Sequence, residues 1–478
     1  MLDAFLECGI FPTYSFARNI VGFYVESKDG KKIEQKPQRS LEIAISEYAP
    51  GRLVVINKEV YKSGGIYNFY SKFSPEGNHP ARTYFSNDEY FKENLYCCSE
   101  SKCNWMGLSD GAQEPKACPF CGASKLEKRK MLKPWGFAPL NGEACDEANP
   151  DFEITYAKEP CYSITPKKEQ LKRLDGFEHL LYSKRSGDSI IILNKGLHAS
   201  GFTVCKDCGA AVSGNKKIED NVGIPYRDYK NRNCKHSSQI NTYLGDQFVT
   251  DMILYVIELD KCKVNTDVGN LWMRRAGRTL AEAMALAGGR LLDIEFNEIR
   301  SGYRIRYSDD VTYLDVFLFD SLSSGAGYCS ELADRSNAFI EKTIDVLSHC
   351  PNNCDSACYS CLKHYWNQQN HYLLDRHAAL DLLNWAKEAE LPKYLSYDEQ
   401  AKLLEPINYL GAEFRISGDR LKHYVKYNGI KTEIVVYPDM RKEFGFENKI
   451  FISDKALKYD FPNAYSEIKQ SVELISTI

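Results

Sequence analysis

The reading turns on Cys350-Pro351-Asn352-Asn353-Cys354-Asp355-Ser356-Ala357-Cys358-Tyr359-Ser360-Cys361, together with the upstream run Phe319-Asp320-Ser321-Leu322-Ser323-Ser324-Gly325-Ala326-Gly327-Tyr328. At these spacings the four cysteines would share one stripe of a continuous helix. With a rise of about 1.5 Å per residue, the outer pair would then be roughly 16 Å apart, too far for a single ion. Pro351-Asn352-Asn353 stands where a helix ending near Leu347 must break, and the break folds Cys350 back toward Cys358 and Cys361 on a following helix. A four-thiolate metal site is expected. Zinc is the first choice and an iron–sulfur cluster the second, because thiolate number alone does not separate them. The plain alternative is a stripe of core cysteines.

Two further clusters have metal-ligand spacing. Cys118-Pro119-Phe120-Cys121-Gly122 is a knuckle: two thiols separated by two residues, followed by a glycine that tolerates the left-handed turn around an ion. Its other half is Cys103 with either Cys97 or Cys98, and Cys98 is preferred. The second knuckle, Cys205-Lys206-Asp207-Cys208-Gly209, is completed by Cys234-Lys235-His236 to a set of three sulfurs and one nitrogen. Three sites of four ligands leave Cys8, Cys97, Cys145, Cys161, Cys262 and Cys329 outside. Seventeen cysteines bunched in this way point to metal sites rather than a disulfide framework.

The chain of 478 residues has room for about three domains. Its 43% hydrophobic and 26% charged content describes a folded protein. Lacking an apolar run of about 18 residues and a basic, apolar leader at Met1, it is read as cytoplasmic, with no membrane partner. A net charge of -4 excludes an overall basic coat, so any contact with nucleic acid must be local. The fold class expected is α+β or α/β and multidomain. It comprises a β-rich module (1–95), a zinc ribbon (96–136), a β-rich module with the second zinc site (137–245), an α/β domain with the four-cysteine site (246–390) and a small α+β tail (391–478). Expected elements include a helix over 39–47, strands over 51–56, 65–69, 252–259, 291–299, 302–307 and 313–319, and helices over 270–286, 328–347 and 376–389.

Several signals are weaker. No G-x-x-x-x-G-K-[ST] loop is present, so this chain encodes no motor of that kind. The small-residue loop before Tyr328 could offer backbone N–H groups to a phosphate, but a tight strand-to-helix turn is the simpler reading. Asp251, Asp260, Asp293, Glu295, Asp315 and Asp320 stand at strand ends without a recognised nuclease spacing. Five of the nine residues from Lys125 to Lys133 are basic. Lys128, Arg129 and Lys130, with Arg274, Arg275 and Arg278 on one helical face, are the candidate phosphate contacts, and Arg300, Arg304 and Arg306 lie nearby in sequence. Trp105 and Trp135 could stack on bases, although core packing is the favoured role for either one.

The run 319–328, the four cysteines, and then Tyr365, Asn367, Gln368, His371, Leu374, Asp375 and Arg376 together resemble the C-terminal zinc-binding region of MrfA-type DNA repair helicases. The same region resembles the DrmB subunit of DISARM and the helicase of Druantia, both anti-phage systems. The strings Gly9 to Phe16 and Glu47 to Gly51 resemble the segment beyond the second motor domain of those helicases. The resemblance covers about residues 5–390, and the motor domains have no counterpart in this chain. It implies a non-catalytic, zinc- and DNA-binding subunit or module that holds single-stranded or tailed DNA behind a helicase motor. The rivals are a metal-dependent nuclease and a protein-binding scaffold.

Overall fold

The structure is a computed structural model. It describes residues 20–73, 79–100, 103, 105–109, 114–145, 151–157, 160–163, 168–227, 233–295, 298–321, 325–410, 414–419, 421–427, 429–443 and 449–477. Cys8 and the Gly9–Phe16 string lie outside the described residues, as does the centre of the small-residue loop, 322–324. The chain divides into two compact units, one drawn from segments 1–165, 186–251 and 322–326, the other from 166–185, 252–321 and 327–478. The boundary expected near 245 falls inside one continuous strand, Gln239–Asp260. Alternating apolar residues do not reveal where a long strand changes partners.

The first unit is mainly β, as its aromatic and β-branched content suggests. Strand Phe91–Cys98 pairs antiparallel with Met106–Leu108 and Leu126–Leu132. A second group joins Phe202–Cys205 to Ala211–Ser213 and to the start of Gln239–Asp260. The short helix α1 spans Leu41–Glu47 and the single turn α2 spans Arg82–Phe85. The expected strand over 65–69 is instead the end of strand Glu59–Ile66 and the start of a 3-10 turn, Phe69–Phe73.

In the second unit, residues 252–260 pair with Val311–Asp320, which forms a hairpin with Ile299–Tyr307. One face of this sheet carries α3 (Leu271–Leu292), α5 (Ser336–Ser348) and α6 (Arg376–Glu388), with the short α4 (Tyr328–Asp334) leading into α5. Buried Trp272, Leu280, Met284, Phe339, Leu382 and Trp385 form the centre of that layer. Asn270 starts α3 by accepting from the N–H groups of Trp272 and Met273.

The strand expected over 291–299 is corrected. α3 runs on through Gly288 and Gly289 to Leu292, ends on Asp293 in the left-handed conformation, and the strand begins only at Ile299. Gly288 lies in a close contact, where a Cβ would stand 2.9 Å from a terminal methyl of Leu332, whereas at Gly289 a Cβ would make only ordinary contact.

The tail has its own core, with Leu404, Val425, Ile434, Ile452, Ile468 and Val472 at its centre. It contains α7 (Tyr397–Leu404), a four-stranded sheet, α8 (Asp454–Tyr459) and α9 (Phe461–Thr477). It is joined to the rest of its unit by polar contacts. Lys455 and Tyr459 of α8 both reach the carboxylate of buried Asp375, at 2.9 and 3.0 Å. Arg275 lies 3.2 Å over the ring of Tyr459. Lys458 pairs with Asp355 at 2.6 Å. Among the described residues no helix is long and apolar enough to cross a membrane.

Burial pushes the Asp375 carboxyl up, but the charge and hydrogen bond of Lys455 and the hydroxyl of Tyr459 outweigh it, leaving it below the ordinary carboxylate value. Removing Lys455 leaves a buried carboxylate without its cation. Lys455→Met should therefore destabilise the second unit by about 3 kcal/mol, measured by urea unfolding at pH 7. Because the native value is depressed, this difference is full above the ordinary aspartate value of about 4 and closes as pH falls through the lower native one.

Candidate metal centres

The first centre forms where strand Phe91–Cys98 ends. Neighbouring residues of a strand face opposite ways, so Cys97 enters a core with Leu95, Met106, Met131 and Ile191, while Cys98 faces the knuckle. This resolves the choice left open by spacing. Cys98 Sγ is 3.6 Å from Cys121 Sγ, and Cys103 Sγ is 3.6 Å from Cys118 Sγ. Gly122 takes φ 73° and donates its N–H to the Cys118 carbonyl, closing the knuckle. Trp105 packs inside against this centre and donates its indole N–H to the Ser163 carbonyl. Trp135 packs on Tyr84 and Tyr90. Both tryptophans are packing residues in this structure.

The second centre gathers Cys205, Cys208, Cys234 and His236. Cys205 and Cys234 are 3.7 Å apart, and Cys208 Sγ lies 3.4 Å from His236 Nδ1. The other ring nitrogen, Nε2, is 2.7 Å from the Val222 carbonyl. A proton on Nε2 donated to that carbonyl leaves the Nδ1 lone pair aimed at the sulfurs, the orienting contact typical of metal-bound histidine. The thiols compete for protons: Cys205 is pulled down to about 4 by its hydrogen bond with Cys208, whose own thiol is pushed far up. A divalent cation removes that conflict by holding all the sulfurs as thiolates.

The third centre is an irregular loop between α5 and α6. Sulfur separations are 3.6 Å for Cys350–Cys358, 3.6 Å for Cys354–Cys361 and 3.8 Å for Cys358–Cys361. The helix does break before Cys350, but Cys358 lies just before a turn and Cys361 within it rather than on a following helix. Left-handed Asn353 and the bond from its N–H to the Cys350 carbonyl make the first bend. Arg376 holds the loop from beneath, with Nε and Nη2 donating to the Cys354 carbonyl and Nη1 to those of Leu347 and Ser348. In the sequence Arg376 stands out by resemblance only, and nothing local to it signals this role.

All three sets fit one ion each. Within a set every ligand atom lies within 4.8 Å of the others. A tetrahedron with zinc–sulfur bonds of about 2.3 Å has sulfur–sulfur edges of about 3.8 Å, and the observed pairs match that edge. They are far too long for disulfides. A multi-iron cluster would hold its cysteines further apart around a larger cage, so the third loop fits a single ion better.

The other candidate residues separate. Lys128 is exposed and pairs with Glu114, Arg129 pairs with Glu127, and Lys130 is half-buried on the same strand. Arg274 is exposed on α3. Arg275 and Arg278 are buried, the first on Tyr459 and the second against Glu282 at 2.7 Å. The helical face read as a phosphate contact is therefore mostly an internal one, because the tail and the 362–373 segment cover it. Arg306 pairs with Asp315. Asp320 accepts from the N–H groups of Tyr328 and Cys329, so a carboxylate already occupies the turn considered for phosphate. Asp251 accepts from Ser186, and Asp260 from the Cys262 N–H. Among the described residues, none of the six strand-end acids joins a group able to hold a metal.

Residues 280–362 match the family model of the MrfA Zn-binding domain. This segment is similar to the MrfA-type zinc-binding domain. The match runs from the middle of α3 to just past Cys361 and so contains the whole third centre. The chain is 30% identical over 514 residues to Druantia protein DruE of Escherichia coli (strain UMEA 4076-1), an alignment covering 98% of this chain and 27% of that protein. The chain thus spans about a quarter of the length of this curated relative. Two solved structures of the DUF1998 helicase MrfA bound to DNA, one also with AMPPNP, share 11% and 9% identity, with TM-scores of 0.34 and 0.30. They cover 80% and 78% of this chain and 38% and 33% of their own.

Purified protein should contain three tightly bound metal ions per chain, mainly zinc, by elemental analysis; one ion or none would overturn the three-centre reading. Cys358→Ser should lose one of them and destabilise the 320–390 region by several kcal/mol, because structural zinc contributes folding energy directly. Differential scanning calorimetry beside metal content checks this.

Proposed function

We propose that this chain is a non-catalytic, zinc-supported DNA-binding module acting with a helicase or translocase motor, in anti-phage defence or DNA repair. The observation that carries it is the MrfA-type zinc-binding domain over residues 280–362. The alignment of nearly the whole chain with DruE adds to it. Zinc ions fix the loops that carry the module's surface. Sequence-independent phosphate contacts come from exposed Lys128 and half-buried Arg129 and Lys130 in the first unit and from exposed Arg274 in the second. The DNA taken is single-stranded or tailed. The motor supplies the ATP chemistry, since this chain has no phosphate loop. The nuclease reading has no comparable support, because the strand-end acids are dispersed.

Pure protein should bind single-stranded or tailed oligonucleotides with affinity that falls steeply as salt rises, without hydrolysing ATP or cutting plasmid in magnesium or manganese. Replacing Lys128, Arg129 and Lys130 by Ala should shallow the salt slope by roughly one to three units in fluorescence anisotropy. An unchanged slope would assign the run to a solvated surface. Metal-dependent cleavage that survives mock purification would restore the nuclease.

A further inference from the structure

Large aromatic rings are costly to leave in water, yet residues 359–372 expose four of them beside the third metal loop: Tyr359 at 72%, Tyr365 at 59%, Trp366 at 47% and Tyr372 at 63%. They are not loosely held. The 3-10 segment Tyr365–Leu373 is pinned from below by Asn367, only 2% exposed. Its amide donates to Glu282 at 3.2 Å and to the Leu362 carbonyl at 3.0 Å, and its oxygen lies 2.8 Å from His371 Nε2. Glu282 also meets His364 at 3.1 Å and Arg278 at 2.7 Å. On the other side the metal loop fixes Tyr359, whose ring meets His371 edge-on at 5.4 Å. Tyr365 and Trp366 meet edge-on at 5.3 Å.

The chemistry around the rings selects among occupants. From Ser356 to Leu374 there is no Asp or Glu. Every aliphatic side chain in that stretch, Ala357, Leu362, Leu373 and Leu374, is buried. The stretch itself therefore offers ring faces, amides and a lysine, Lys363, and the exposed carboxylate just before it, Asp355, is paired with Lys458. Tyr372 lies within electrostatic reach of Arg275, whose neighbour Arg274 is exposed on α3. Exposed rings on a stretch that holds a lysine and no carboxylate of its own suit unpaired bases, which stack on aromatics while the backbone meets cations.

We propose that Tyr359, Tyr365, Trp366 and Tyr372 form a stacking platform for unpaired bases of a single-stranded nucleic acid. This rests on the DNA-binding reading above and gives it a site. Trp366 is the one exposed tryptophan of five, so intrinsic fluorescence reports on the platform directly. Titrating the full chain with oligothymidylate should quench that emission. Trp366→Phe should keep affinity within about twofold and abolish the quench. Trp366→Ala with Tyr372→Ala should weaken binding about tenfold or more while leaving the salt slope unchanged, since stacking releases no counterions. The basic-run variant should do the opposite and change the slope. Metal content and melting temperature of the double variant should match the wild-type protein. If the chain binds DNA but the double variant binds as well as wild type and Trp366 stays unquenched, the platform is overturned, the DNA-binding reading stands, and the rings belong to a protein contact. If the chain binds no DNA at all, both are overturned.

Discussion

Two adjacent residues, Asp375 and Arg376, hold together most of what matters in the second unit. Arg376 is buried and spends its guanidinium on main-chain carbonyls at the end of α5 and inside the metal loop. Asp375 caps α6, donates its own N–H to Thr279 on α3, and receives Lys455 and Tyr459 from the tail. A buried charge persists only where hydrogen bonds replace its lost hydration, and these partners supply them. As a result α3, α5, α6, the metal loop and the tail all meet at one point of the backbone.

Around that point, metal and apolar packing divide the labour. The large core between α3, α5, α6 and the sheet needs no ion, being rich in Leu, Ala, Phe and Trp. The metal loops are different. The core beside the first centre consists of Tyr96, Cys103, Trp105 and Cys118, two of which are ligands themselves. So small a cluster buries too little apolar surface to offset the entropy of ordering its loop, a difference that a bound ion would supply. Each centre adds hydrogen bonds that aim its ligands, including the Val222 carbonyl on His236 and the Arg376 clamp under Cys354.

The same fixing of loops makes rigid display possible. The ring-bearing segment after the third centre rests on Asn367 and Glu282 below and on Cys358 and Cys361 at its start, which hold its backbone without a core of its own. Preorganised rings lose little entropy on contact, which is what a non-specific binding surface needs.

The knuckles, the break at Pro351, most of the strands and helices of 252–389 and the resemblance to zinc-binding regions of helicases were legible in the sequence, because ligand spacing and apolar period are local properties. The preference for Cys98 over Cys97 was legible but its reason was not, since that depends on which face of a strand turns toward the knuckle. Nor was the fate of Arg275 and Arg278: three arginines on one helical face look alike until the tail and the 362–373 segment cover two of them. The helix runs past its expected end at 286 to Leu292, where Gly288 packs closely on Leu332, more than forty residues away in sequence. Sequence alone determined which residues can bind metal, because thiol and imidazole chemistry belongs to the residue. Tertiary structure alone decided which charges and rings face water, because exposure is set by distant segments that pack over some side chains and leave others bare.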